Sequence, residues 1–165
     1  FLGGESLFVN HFTNNSSEAR RVTLVQSTPG NSREIQLNGQ EYCLQPGAFI
    51  ACTPDVNFGL KWAGIKSWFA REGLFKLTVS GHGTVWYGAY GGLLEKEVDG
   101  EYIVDTGHLV AYEPQMNLNI QLAGGLFGSL FGGEGFVSRL EGKGKIVIQT
   151  RSLSGLADWV NPMLH

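Results

Sequence analysis

The side chains that could do chemistry in this 165-residue chain are few and scattered. Four histidines, His11, His82, His108 and His165, fall in separate stretches. His108 with Glu113, in Gly107-His108-Leu109-Val110-Ala111-Tyr112-Glu113, invites comparison with a cupin metal site. Such a site needs two imidazoles on one strand face, a carboxylate and a further His. Positions 106 to 110 offer one His, so His108 is expected to cap or pack and no metal or other cofactor is expected. Gly81-His82-Gly83 and Gly142-Lys143-Gly144 are glycine-rich without the Gly-x-x-x-x-Gly-Lys order of a phosphate loop, and neither opens a helix. They are expected to be β-corners. No Gly-x-Ser-x-Gly elbow surrounds Ser6, Ser80 or Ser129, and neither Cys43 nor Cys52 has a nucleophile context. No catalytic residue is expected, and the chain reads as a non-enzyme.

Polar contacts to nucleic acid would require basic residues interleaved with stacking aromatics. Lys76, Arg139, Lys143, Lys145 and Arg151 are the best such group, with Trp86 and Tyr90 as stackers. Glu95, Glu97, Glu134 and Glu141 oppose them, and the net charge of −3 supplies no basic excess. Nucleic acid is therefore an unfavoured partner. The segment from Ala123 to Gly135 is different: glycine-rich, yet carrying Leu126, Phe127, Leu130 and Phe131. Those four are the candidate interface, either folded over their own core or used for self-association or a peripheral membrane or protein contact.

The elements that would position these groups repeat. Tyr42, Gly47, Ala51, Pro54 and Asn57 recur sixty residues later as Tyr102, Gly107, Ala111, Pro114 and Asn117. Phe75, Gly81, Gly83 and Val85 recur sixty-one residues later as Phe136, Gly142, Gly144 and Ile146. Alternating patterns predict strands at 6–13, 21–26, 33–37, 41–44, 56–62 and 117–122, and an opening strand pair at 136–140 and 145–150 that begins a third, incomplete copy. Asn38-Gly39 and Asp99-Gly100 are hairpin signals. Three β units follow, at 1–62, 63–122 and 123–165, making one compact fold. Leu153, Leu156, Ala157 and Val160 have helical spacing, with Ser152 as N-cap and Pro162 beyond the end. The chain is all-β with a short C-terminal helix. A closing segment missing from the third copy is expected to lie upstream of Phe1, leaving a strand edge open. Glycine at 24 positions and charge on 16% of residues suit a turn-rich β protein. Two cysteines point to a reducing compartment and not to a disulfide framework.

Gly4-Glu5-Ser6-Leu7-Phe8-Val9-Asn10, Gln45-Pro46-Gly47-Ala48-Phe49, the run from Val104 to Glu113 and Gln149-Thr150-Arg151-Ser152 together resemble the mitochondrial-biogenesis "altered inheritance of mitochondria" family, bacterial branch. That family is part of a superfamily resembling the tryptophan RNA-binding attenuation protein. The resemblance implies three β-sandwich units of double-stranded β-helix type about a pseudo-threefold axis. It carries no settled activity for bacterial members, and eukaryotic members are linked to mitochondrial membrane organisation. No Arg-rich transit segment is present, so a cytoplasmic, bacterial protein is expected, with a mitochondrial location if the protein is eukaryotic. The expected role is a scaffold with a rigid β surface, possible as a homo-oligomer; a small-molecule or lipid-binding module is the alternative.

Overall fold

The computed structural model describes residues 10–45, 47–62, 75–122 and 136–164. Among the described residues nine strands form one connected sheet system: β1 (Ser32–Asn38), β2 (Tyr42–Leu44), β3 (Phe49–Cys52), β4 (Val56–Trp62), β5 (Phe75–Gly88), β6 (Leu93–Asp105), β7 (Leu109–Tyr112), β8 (Asn117–Leu122) and β9 (Phe136–Gln149). A helix, α1 (Leu153–Val160), and a 3-10 turn at Asn161–Met163 follow. Ser152 caps α1 by accepting a hydrogen bond from Gly155 N at 3.1 Å.

Two long strands organise the chain by bending. β5 pairs through its first half with β4 and β2, and through its second half with β1 and β3. The change of partner falls at Gly81 (φ +99°) and Gly83 (φ +133°), a backbone region that side chains with a Cβ rarely enter. β9 repeats the device at Gly142 (φ +120°), with β8 beside its first half and β7 beside its second. The expected corners are therefore present.

The hairpins are not. β1 and β2 do not pair with each other: both run antiparallel to β5, with Asn38 opposite His82 and Tyr42 opposite Val79. In the second unit β6 runs unbroken through Asp99-Gly100 and pairs with β9 from Leu93 to Asp105. The positive φ of Gly39 (+97°) and Gly100 (+111°) bends a strand between two layers instead of reversing it. A partner strand continuing past both dipeptides overrides the local turn preference.

The pairing also regroups the copies. Register repeats in detail: Phe49 faces Tyr87 and Leu109 faces Ile148; Cys52 faces Val85 and Tyr112 faces Ile146; each pair has an irregularity two residues in. The two units are thus β1–β5 and β6–β9, cutting across the boundaries 62/63 and 122/123. Among the described residues β9 pairs with β6, β7 and β8. Residues 21–26, expected as a strand, form none, and Val22 and Val25 are exposed because no described edge takes up their backbone. The stretches 6–9 and 123–135, with Leu126, Phe127, Leu130 and Phe131, lie outside the described residues.

Two apolar clusters fill the units, and each borrows from the other. Leu37, Leu44, Val56, Val79 and Val85 of the first unit pack with Val110, Ala111 and Val147 of the second. Cys43 of the first unit joins Leu109, Tyr112, Leu140 and Ile146. The borrowing follows from direct pairing of β2 with β7, Cys43 opposite Tyr112 and Leu44 opposite Ala111.

Successive unit ends also interlock at sixty-residue intervals. Asn31 N donates to Gly91 O at 2.8 Å and Gly91 N to Pro29 O at 3.0 Å. One interval on, Thr150 N donates to Gly92 O at 3.0 Å and Arg151 N to Tyr90 O at 3.3 Å. Gly30 is so close to Ala89 and Gly91 that a Cβ would strike their backbone oxygens.

Candidate functional site

The β2–β7 seam defines what the other strands lack. β2 has β5 on one side and β7 on the other; β7 has β9 and β2. By repeat, the second half of β6 stands where β2 stands, and β3 where β7 stands. Among the described residues, β6 from Glu101 to Asp105 pairs only with β9, and β3 only with β5. Each therefore has one outer edge without a described partner.

The direction of the groups on those edges can be read from the seam. Gln45 N donates to Val110 O at 2.8 Å across it. Alternate residues of a strand send their N–H groups the same way, so Cys43 also faces β7. Sixty residues on, Ile103 and Asp105 send theirs to the outer side of β6. Ile103 is half exposed and adds an apolar side chain to that edge.

A cleft of about 270 Å³ is lined by residues of both units, Arg33, Tyr42, Tyr87, Glu95, Tyr112 and Lys145 among them. Its charged groups are mostly engaged with one another. Lys145 Nζ is 3.2 Å from Glu95 Oε1, and that hydrogen bond raises the lysine pKa. Arg33 donates to Leu93 O at 3.2 Å. Burial raises the pKa of Tyr87, with Arg33 opposing. Tyr42 is raised by burial first and by the nearby Glu113 carboxylate second. Tyr112, buried, is raised most, by desolvation and by the Cys43 thiol beside it. All three phenols stay protonated and neutral at physiological pH.

The other residues singled out in the sequence take structural places. His108 Nδ1 is 2.7 Å from Gln149 O, tying the 3-10 turn Thr106–His108 to the end of β9. Among the described residues no three His, Cys, Asp or Glu side chains gather as a metal site would require. Cys43 and Cys52 are not joined in a disulfide; Cys43 is fully buried, and burial raises the Cys52 pKa. Of the basic residues considered for nucleic acid, Arg139 pairs with Glu101 and Glu141, Lys143 with Asp99, and Lys145 with Glu95. Lys76 lies over the Tyr112 ring and Arg151 over Tyr90. Three of these cations thus pair with carboxylates, and two rest over tyrosine rings. Sequence reasoning missed the seam and the cleft, because both join residues sixty or more apart; the sixty-residue offset was the signal that could have found them.

Two long bent strands and the antiparallel sheet that runs through all the described strands define a mostly antiparallel β protein with one short C-terminal helix. No described helix is long and apolar enough to cross a membrane. Residues 1–151 match the mitochondrial biogenesis AIM24 family, and the chain belongs to that family. An uncharacterized protein of Streptococcus pyogenes serotype M6 is 29% identical over 159 residues, covering 94% of this chain and 63% of the relative. A crystal structure of a Streptococcus pyogenes protein aligns with a TM-score of 0.72 at 29% identity, covering 83% of this chain and 62% of that one. The chain thus spans less than two-thirds of the length of these relatives.

Proposed function

We propose that this protein is a non-enzymatic scaffold that assembles through its strand edges, adding a further β unit to the outer sides of β6 and β3. The observation that carries the reading is the β2–β7 seam. It is a working example, within the chain, of how one unit joins the next, and β6 and β3 present the matching halves without a described partner. Edges left unpaired are templates for pairing, and addition of a strand supplies affinity through the main chain. The bacterial relatives support a bacterial setting, and two cysteines not joined in a disulfide are in keeping with the cytoplasm as the compartment.

Amide hydrogen exchange tests this directly. In the assembled protein the outward amides of Ile103 and Asp105 are expected to exchange as slowly as those of Cys43 and Gln45. Ile103→Pro removes one outward N–H without touching the bonds to β9, and is expected to lower the assembled mass in light scattering. Fast exchange at Ile103 and Asp105 in the assembled protein would refute the reading.

A second reading, a small-molecule module, is favoured by the cleft at the unit junction. Its volume suits a compact polar ligand, near the lower bound of about 300 Å³ for ordinary ligand sites. Native mass spectrometry of protein taken straight from cells checks it: a retained small molecule lost on Tyr42→Ala supports the module, and a bare mass opposes it.

A further inference from the structure

The family match ends at residue 151, and α1 begins at Leu153. The helix is an addition to the two-unit β body, and it does not serve that body's core: no residue of α1 is buried. Yet its side chains are patterned for burial. Leu153, Leu156, Val160 and Met163 follow at intervals of three and four residues and share one face, with Trp159 beside them. Ser154 and Asp158 point the other way. Leu153 is 61% exposed, Trp159 64% and Leu164 71%, in a segment whose composition belongs inside a protein.

We propose that α1 and the turn after it are a self-association surface, on which the same face of a second copy packs across a twofold axis. Three observations select this occupant. The exposed apolar side chains amount to about 500 Å² per chain, so a mutual pair buries roughly 1,000 Å², near the lower bound of a specific interface. Asp158 is the one charged residue from Ser152 to Leu164, and it lies off the apolar face; interface cores are depleted of charge in this way. A membrane surface is the poorer fit, since helices that lie on lipid carry Lys or Arg on the polar face and this one carries neither. A second copy brings the identical patch at equal concentration, and an isologous contact closes on itself without leaving a new edge. The contact is separate from the strand edges of β6 and β3 and does not rest on them.

Sedimentation velocity of the full chain over a dilution series decides the matter, with the double variant Leu156→Glu/Trp159→Glu as the comparison. Both side chains are exposed, so the variant is expected to keep the wild-type far-ultraviolet circular dichroism and thermal midpoint. A concentration-dependent dimer is expected for the wild type, with a Kd at least about thirtyfold higher in the variant. Trp159→Ser, a milder change, is expected to fall between them. A wild type that stays monomeric throughout would overturn the proposal, including one that instead floats with neutral lipid vesicles. A dimer that survives the helix variant but dissolves on Ile103→Pro would also overturn it, assigning self-association to the strand edge.

Discussion

Cys43 lies opposite Tyr112 across the β2–β7 seam, each in the other unit's reach and both closed to solvent. Cys43 packs in the second unit's cluster, and the Tyr112 hydroxyl, with no oxygen or nitrogen partner among the described residues, is left to the Cys43 thiol. The seam is thus a shared core as well as a backbone ladder. Truncating the ring should damage both units at once. Tyr112→Ala is expected to lose about 3–5 kcal/mol of stability, the range for emptying a buried aromatic site. Tyr112→Phe keeps the ring and is expected to cost no more than about 1 kcal/mol. Urea unfolding midpoints at constant slope separate the two.

The corner glycines differ in what a methyl group would meet. At Gly81 a Cβ would stand 2.6 Å from Asp55 O, a backbone atom that cannot move aside, and φ is already +99°. At Gly100 φ is +111°, but nothing lies within 4 Å. Gly100→Ala should therefore cost only the left-handed conformation, about 1–2 kcal/mol. Gly81→Ala should cost clearly more, because strain and collision add. Equal thermal shifts for the two variants would show that β5 does not turn its corner at Gly81.

What could be read from the sequence, and what could not, follows the range of the interactions. The corners at Gly81-His82-Gly83 and Gly142-Lys143-Gly144 were legible because a positive φ leaves a glycine behind. The cap at Ser152 was legible because it acts over three residues. Asn38-Gly39 and Asp99-Gly100 misled because a bend and a reversal ask for the same residues, and only the partner strand 40 or so positions away distinguishes them. Val22, Thr23 and Leu24 have strand composition, but a strand exists only where an edge accepts it. The seam was hidden for the same reason: nothing local to Cys43 or Tyr112 says that they meet.

Alkaline pH provides a test of the buried phenols. Burial raises the pKa values of Tyr42, Tyr87 and Tyr112 above the ordinary tyrosine value near 10. The folded state then holds protons that the unfolded state releases, so the stabilisation is complete below about pH 10 and is lost as pH rises through the folded values. Stability measured by denaturant should fall steeply above pH 10. Tyr112→Phe should flatten that fall while leaving the neutral-pH value nearly unchanged. A variant with the wild-type slope would remove Tyr112 from the alkaline transition.

The Ser152 cap separates the helix from the body it is attached to. Ser152→Ala removes the acceptor for Gly155 N, a loss of about 1 kcal/mol to the helix. Because no residue of α1 is fully buried, the cost should stay local. Unfolding of the sheet, followed by near-ultraviolet circular dichroism, is expected to keep its midpoint, while amides in α1 exchange roughly fivefold faster. If two copies pair through α1, ordering the frayed helix is charged to association, and the dimer Kd should rise by a similar factor. A drop in the sheet's own midpoint would instead mean that α1 is braced against the β body.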